Sequence, residues 1–186
     1  MIFLIAGLLL WCAVHFFPAL AVQARANLIS RQGQPRYRSV FAVLIISSIV
    51  LMVLGWRSVD PAQVYPPLAW GKGASYVLVF FTFILFVAAK RQTNIKRVLR
   101  HPQLCGVILW SSGHLLANGD DRSLILFAGI GTWALLEIVL INRRVGAWIK
   151  PDPVPVQKDV ITVVIGVILY LLLLLLHPYL SGKTLV

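Results

Sequence analysis

Cysteine and acidic residues are scarce in this sequence. Asp and Glu together supply 6 of the 186 residues, and the two cysteines are Cys12 and Cys105. The cysteines have neither zinc-ligand nor disulfide spacing, so the sequence predicts no zinc site and no disulfide framework.

No internal repeat with the period of roughly 20 to 50 residues that is typical of repeat proteins is present.

Long apolar segments dominate what is present. Hydrophobic residues make up 59% of the chain, and the mean hydropathy is +0.86. The apolar runs exceed the stretch of about 10–14 residues that is typical of a buried soluble helix. The sequence therefore predicts an all-α, polytopic membrane helix bundle that forms a single domain, residues 1–186. The six expected transmembrane helices are Ile2–Val22, Ser39–Trp56, Leu68–Ala89, Pro102–Asn118, Ser123–Ile141 and Asp159–His177.

A secretory signal peptide has basic residues at its start and a cleavage site of small residues at its end. The first span has no basic residue ahead of it and no such cleavage pattern after it. We therefore expect the first span to remain in the protein as a helix, followed by a loop that contains Arg25.

Basic residues predict the orientation of the spans, because short cytoplasmic loops retain Lys and Arg. Thirteen of the 17 basic residues follow spans one, three and five. These loops are therefore expected to be cytoplasmic and both termini extracytoplasmic, in a multi-pass protein of the bacterial inner membrane. The thirteen are Arg25, Arg31, Arg36, Arg38, Lys90, Arg91, Lys96, Arg97, Arg100, Arg143, Arg144, Lys150 and Lys158, while Arg57, Lys72, Arg122 and Lys183 lie opposite.

The net charge of +11 is accounted for by these membrane-flanking loops. A nucleic-acid-binding protein gathers its charge on one basic surface, and no aromatic-studded basic surface is evident here. The sequence therefore predicts the lipid bilayer as a partner and no nucleic acid.

Three shorter features of the loops predict local structure. Residues Thr93–Arg100 suit a short interfacial helix because apolar residues alternate with basic ones. Pro102 fits the first turn of a helix, where its missing N–H group costs nothing. Lys150–Pro155, KPDPVP, predicts a stiff, extended connector.

All four histidines, His15, His101, His114 and His177, lie in or at the end of apolar runs. A single membrane histidine most often hydrogen-bonds to a neighbouring helix. Four of them favour a metal or haem, because neutral imidazole is a common metal ligand and a usual axial ligand of haem iron. No Cys-x-x-Cys-His motif for covalent attachment is present, so any haem should be of the b type.

Depth in the membrane separates the possible histidine pairs. His101 and His114 are about 20 Å apart along one helix and cannot share an iron. His15 and His114 lie at depths that agree within roughly 5 Å, counted from the cytoplasmic ends of their spans. They form the best-matched pair, with Cys12 as a weaker alternative ligand. His101 could instead begin its helix near lipid headgroups, and His177 could be an interfacial helix-end residue.

Other polar or small residues accompany these histidines. Gly106, Trp110, His114 and Asn118 fall close to one helix face, where small residues could admit a neighbouring helix or a flat ligand. The turn at Asn118–Asp121 is typical of a solvated loop, but the nearness of Asp120 to His114 leaves a functional role open. Glu137 is the one acid well inside a span, where pairing with Arg or His is expected.

These residues carry a family resemblance. The stretch from Arg100 to Asp120 reads R-H-P-x-L-x-G-x-x-L-W-x-x-x-H-L-L-A-N-G-D and resembles the signature of the NnrU family. The likeness extends along nearly the whole chain and includes His15, Tyr37–Arg38, Glu137 and His177–Pro178, followed by Gly182.

In its membrane core, that family is similar to 15-cis-zeta-carotene isomerase, a haem b enzyme whose iron is held by histidines. The resemblance implies a haem b iron between spans one and four with His15 and His114 as axial ligands. Arg25, Arg38 and Arg100 are candidate partners of the haem propionates.

Three functions follow as hypotheses. The first is a haem b protein linked to nitrite or nitric oxide reduction in denitrification, or to redox sensing. The second is haem-dependent cis-trans isomerisation of a polyene such as 15-cis-zeta-carotene. The third is a non-enzymatic accessory or assembly protein whose histidines organise packing. A transporter is less expected, because the sequence shows no pair of interrupted helices related by a repeat.

Overall fold

The computed structural model describes residues 1–181, and within that range the chain is helical without any β-strand. The predicted all-α class is therefore confirmed, while Gly182 and Lys183 lie outside the described residues. The helices are α1 Ile2–Leu20, α2 Val22–Gln32, α3 Gln34–Arg57, α4 Gly71–Lys90, a 3₁₀ turn Asn94–Arg97, α5 Pro102–Ala117, α6 Asp121–Ser123, a π-helical segment Leu124–Ala128, α7 Gly129–Val145 and α8 Val156–Ser181.

Each predicted span corresponds to a helical segment. Five are long and apolar enough to cross a membrane: Ile2–Leu20, Gln34–Arg57, Gly71–Lys90, Asp121–Val145 and Val156–Tyr179. The expected fourth span is α5, which has 16 residues and is shorter than the other five, which have 19 to 25 residues. Five candidate spans are therefore observed, and a membrane-crossing role for α5 stays a prediction.

The apolar surface of these helices identifies their surroundings. Ile46 is 60% exposed, Leu136 49% and Leu175 72%. Such side chains on nearly every face of long helices would be costly in water and are stable against lipid tails. The protein is therefore a multi-pass membrane protein.

One helix was not expected. The stretch after the first span was predicted to be a loop, but Val22–Gln32 forms α2, so Arg25 lies on a helix. Glycine ends α2, because Gly33 adopts a φ of 82°, a left-handed conformation that suits glycine. The loop prediction was wrong because α2 is too polar to register as a span, although it contains neither Gly nor Pro.

The chain forms two compact units. The first unit comprises Met1–Pro67 and Asn118–Ala147. In it α1 packs along α3 and also against α7. Gly7 on α1 and Gly55 on α3 permit the close approach of these two helices. A Cβ atom on Gly7 would lie 2.7 Å from the Ser48 carbonyl oxygen.

The second unit comprises residues 68–117 and the chain from Trp148 onward. In it α4 packs against both α5 and α8. The Thr82 hydroxyl lies 3.0 Å from the Leu78 carbonyl oxygen and 3.1 Å from that of Gly106, which joins α4 to α5. A buried hydroxyl is thereby satisfied by backbone acceptors.

The loops of the second unit match two of the three local predictions fully. Helix α5 begins at Pro102, and Lys150–Pro155 is extended. The connector is held by Asn94, whose side-chain amide pairs with the backbone of Val154 at 2.8 and 3.0 Å. The expected interfacial helix at 93–100 is shorter than predicted, a 3₁₀ turn over Asn94–Arg97.

Basic residues gather at one end of each unit, as the orientation rule predicts. In the first unit, Arg144 Nη1 donates to the Pro18 carbonyl oxygen at 2.9 Å and so joins the C-terminal ends of α7 and α1. In the second, Asp159 accepts hydrogen bonds from Asn94 and joins the start of α8 to the loop after α4. We call these the basic ends. They carry Arg25, Arg31, Arg36, Arg38, Arg143 and Arg144 in the first unit and Lys90, Arg91, Lys96, Arg97, Arg100, Lys150 and Lys158 in the second.

The Gly55→Ala substitution should destabilise the protein by about 1–3 kcal/mol, the usual cost of overpacking. A Cβ atom there would lie 2.7 Å from Leu4 Cα, which is backbone and cannot easily give way. Gly73→Ala is the matched control, because Gly73 is also helical and has nothing within 4 Å. Alanine there should stabilise by about 1 kcal/mol through helix propensity. Thermal unfolding in detergent measures both, and equal shifts for the two variants would contradict the α1–α3 packing.

Candidate functional site

An aromatic box surrounds His15 in the first unit. Its imidazole ring centroid lies 4.2 Å from that of Trp11, 4.8 Å from that of Trp133 and 5.8 Å from that of Phe41. These rings come from α1, α7 and α3 respectively, so three helices enclose one imidazole. The box holds the ring in place and limits its access to lipid.

The backbone fixes the tautomer of His15. Its Nδ1 atom lies 2.9 Å from the Trp11 carbonyl oxygen, one helical turn earlier. A carbonyl oxygen can only accept a hydrogen bond, so Nδ1 carries the proton. In the neutral ring, Nε2 then holds the lone pair, which is the arrangement a metal-ligating histidine uses.

His114 repeats the same arrangement in the second unit. Its Nδ1 donates to the Trp110 carbonyl oxygen at 2.8 Å, and its ring lies 4.9 Å from that of Trp110. The two sites share the sequence Trp-x-x-x-His, at 11–15 and 110–114. Both histidines were predicted from sequence as iron ligands, but their common motif was not recognised. The signal was present, because a spacing of four places the tryptophan carbonyl beside the imidazole on a helix.

Small residues near His114 admit a neighbouring helix. A Cβ atom on Gly106 would meet the Phe86 ring at 2.8 Å, and one on Gly113 would lie 3.4 Å from Leu78 Cβ. Both neighbours belong to α4. Of the two alternatives left open for this face, helix packing therefore holds at these two glycines.

Several buried polar atoms around His15 have no hydrogen-bond partner. They include Nε1 of Trp11 and of Trp133, Oε2 of Glu137, the hydroxyl of Tyr37 and Nε of Arg25. Glu137 follows Trp133 by one turn of α7. Native proteins leave few buried polar groups unpaired. These unpaired atoms all belong to the first unit.

A basic pocket of about 460 Å³ opens beside the aromatic box. It begins at Pro18, one turn beyond His15, and Phe41 belongs to both the box and the pocket. Three guanidinium groups and no carboxylate line it, which suits an anionic ligand group. The lining residues are Pro18, Val22, Arg25, Gln34, Tyr37, Arg38, Phe41 and Arg144.

Two of the three arginines proposed from sequence therefore share one site. Arg25 and Arg38 line the basic pocket, and the Arg25 guanidinium lies 5.6 Å from the centre of the Tyr37 ring. Arg100 belongs to the second unit and is not among the lining residues. Sequence analysis did not single out Arg144 for this site, because α7 brings it there from 126 residues beyond Pro18.

The remaining two histidines belong to the second unit, His101 just before α5 and His177 on α8. The His101 carbonyl accepts the backbone N–H of Cys105 at 3.0 Å, so His101 stands at the start of α5 as predicted. His177 does not end its helix, because α8 continues to Ser181. His114, on α5, and His177, on α8, both belong to the second unit.

Asp120 has a structural role at the end of the first unit opposite the basic residues. Its carboxylate accepts hydrogen bonds from the backbone N–H and the hydroxyl of Ser123 at 2.9 and 2.8 Å, and it lies 3.7 Å from Arg122 Nε. The Asn118 carbonyl accepts the Tyr65 hydroxyl at 2.8 Å. Burial first, and then the Asp120 charge, raise the pKa of Tyr65. These contacts close the loop before α6.

Glu137 lacks the close partner expected from sequence. Its Oε2 atom makes no hydrogen bond, and the electrostatic attraction it feels comes from Arg144, two turns further along α7.

The fold and these residues define a polytopic helical membrane protein that presents two imidazoles of the same tautomer within its helices. The NnrU protein family model matches residues 3–184, nearly the whole chain, and the chain belongs to this family. The family assignment made from sequence is thereby confirmed. No curated protein and no solved structure matches the chain significantly.

The tautomer of both histidines can be measured directly. We expect ¹⁵N NMR of histidine-labelled protein in micelles to show Nδ1 protonated in His15 and in His114, because each donates to a tryptophan carbonyl. His15→Gln and His114→Gln variants assign the signals. Protonation at Nε2 in either residue would contradict the hydrogen bonds described above.

Asp120→Ala should destabilise the protein by about 1–3 kcal/mol, because it removes a helix N-cap and leaves Arg122 without its ion-pair partner. Asp60→Ala is the control, since Asp60 is an exposed acid of the adjacent loop and should change stability by less than about 0.5 kcal/mol. Thermal unfolding distinguishes the two, and equal effects would refute the capping role.

Proposed function

We propose that this protein binds haem b, and that His15 in the first unit and His114 in the second are each candidate iron ligands through Nε2. The observation that carries the proposal is the hydrogen bond from Nδ1 to a tryptophan carbonyl, present at both histidines. Metal-bound imidazoles characteristically donate their other N–H in this way, which orients the ring and raises its basicity.

The donor set favours haem over a bare metal ion. Within residues 1–181, no group of three or more His, Cys, Asp or Glu side chains could hold a metal. Haem needs only one or two protein ligands, because the porphyrin supplies the others. The Nε1 atoms of Trp11 and Trp133, beside His15, make no hydrogen bond within the described residues, which is consistent with a ligand-binding site.

The basic pocket fits the two propionates of such a haem. Arg25, Arg38 and Arg144 supply guanidinium groups to this pocket, which reaches Pro18 one turn beyond His15 on α1, and Tyr37 adds a hydroxyl. Guanidinium groups pair with carboxylates through short, charge-assisted hydrogen bonds. The pocket would therefore hold the propionates, while Trp11, Trp133 and Phe41 would shield the His15 imidazole from water.

We infer a redox or nitric-oxide-linked role for the bound haem, in support of nitrite and nitric oxide reduction. Bound haem would supply one-electron chemistry and an iron able to bind small gaseous ligands. Family membership supports this role. Binding of nitric oxide to the reduced, haem-loaded protein tests it, and a spectrum unchanged by nitric oxide would argue against it.

Haem content tests the proposal itself. Protein purified with haem supplementation should show a b-type Soret band and a pyridine haemochrome, and His15→Ala or His114→Ala should shift the band or reduce the haem content by at least tenfold. His101→Ala is the matched control, because it removes another imidazole, the one directly before α5, without touching either Trp-x-x-x-His motif. Colourless, folded wild-type protein would refute haem binding and leave a packing role for the histidines.

A further inference from the structure

A second cavity of about 460 Å³ lies in the second unit, at its basic end. Helices α4, α5 and α8 contribute to it. Its lining residues are Phe86, Val87, Lys90, Arg91, Gln103, Ile165 and Leu169. We call it the α4–α8 groove. It involves no histidine and is independent of the haem proposal.

The groove is apolar along its wall and cationic at its mouth. Phe86, Val87, Ile165 and Leu169 form the wall, and Leu169 is 39% exposed, so the groove is open to the lipid side. Lys90 and Arg91 stand at the C-terminal end of α4, where that helix reaches the basic end. Gln103, from the first turn of α5, adds an amide.

The positive charge at this mouth is not neutralised by the protein. Arg91 Nε is buried without a hydrogen-bond partner, and no acid lines the groove. Asp159, an acid of the same end, is already bonded to Thr93 and Asn94. Lys158, by contrast, already has a partner, because its Nζ donates a hydrogen bond to Gln92 Oε1 at 2.7 Å. The ion pair between Arg122 and Asp120 belongs to the first unit.

We propose that the α4–α8 groove binds one anionic phospholipid, with its phosphate at Lys90 and Arg91 and an acyl chain along the apolar wall. A soluble anion would leave the wall bare, and an uncharged hydrocarbon would leave buried Arg91 Nε unpaired. An anionic lipid satisfies both. Basic pockets between transmembrane helices on the predicted cytoplasmic side are a recognised form of anionic-lipid site.

Native mass spectrometry of the delipidated, full-length protein in detergent tests this proposal. Titration with phosphatidylglycerol should give a one-to-one adduct at concentrations where phosphatidylcholine gives none. Arg91→Gln should weaken phosphatidylglycerol binding by about fivefold, and Lys90→Gln with Arg91→Gln by about 25-fold, as expected for the loss of one and two interfacial charges. Lys96→Gln is the matched control, because it removes a charge of the same end that does not line the groove.

A second variant tests the acyl-chain part of the site. Leu169→Trp adds bulk to the wall on a partly exposed position and should reduce binding of phosphatidylglycerol while leaving the charges intact. Circular dichroism and size-exclusion chromatography confirm that each variant is folded. An Arg91→Lys variant, which keeps the charge, should retain more binding than Arg91→Gln.

Three outcomes would overturn the proposal. Equal binding of phosphatidylcholine would show a non-selective apolar surface. Unchanged affinity in the double variant, or a loss as large in Lys96→Gln, would show that the groove's own charges do not select the lipid. Displacement of the lipid by inorganic phosphate at an equal concentration would show a site for a small soluble anion.

Discussion

The hydrogen bond from a histidine Nδ1 to the carbonyl one turn earlier is the constraint on which the candidate site depends. A neutral imidazole inside an apolar helix must satisfy its N–H group, and the tryptophan carbonyl is the acceptor within reach. Satisfying one nitrogen in this way commits the other to its lone pair. The same local geometry therefore stabilises the histidine in the membrane and prepares it as a ligand. The constraint is local to a helix, which is why it recurs in two units with different surroundings.

Around His15 this local constraint becomes a larger site because three helices converge. Trp133 and Glu137 arrive on α7, Phe41 and Tyr37 on α3, and the histidine itself on α1. The close approach of α1 and α3 depends on Gly7 and Gly55, where a side chain would strike the opposing backbone. The packing of two small residues thus places an aromatic box directly beside a pocket of arginines.

Much of the fold was predictable because hydropathy acts over whole helices. The apolar runs gave every long helix, and Pro102 gave the start of α5 to the residue. Helix α2 was missed because a short polar helix depends on propensity and on the Gly33 stop rather than on an apolar run. The length of α5 also follows from local signals, since Pro102 opens it and the closed turn before α6 ends it.

The site was predictable only in part, because its members come from distant positions in the chain. His15 and His114 could be recognised because histidine is rare within apolar runs, and Arg25 and Arg38 could be recognised because they are charged. Arg144 could not be assigned to their pocket without the packing of α7 on α1. The contacts of Asp120 with Ser123 and Arg122 are short-range, and the functional role left open for Asp120 from sequence stays a prediction.

Electron paramagnetic resonance of the oxidised, haem-loaded protein tests the central claim most directly, because it reports the ligands of the iron rather than the presence of haem. Two axial imidazoles predict a low-spin ferric signal in the wild type that becomes high-spin when either His15 or His114 is replaced by alanine. A high-spin signal in the wild type, or a low-spin signal that survives both replacements, would contradict the assignment of these two histidines.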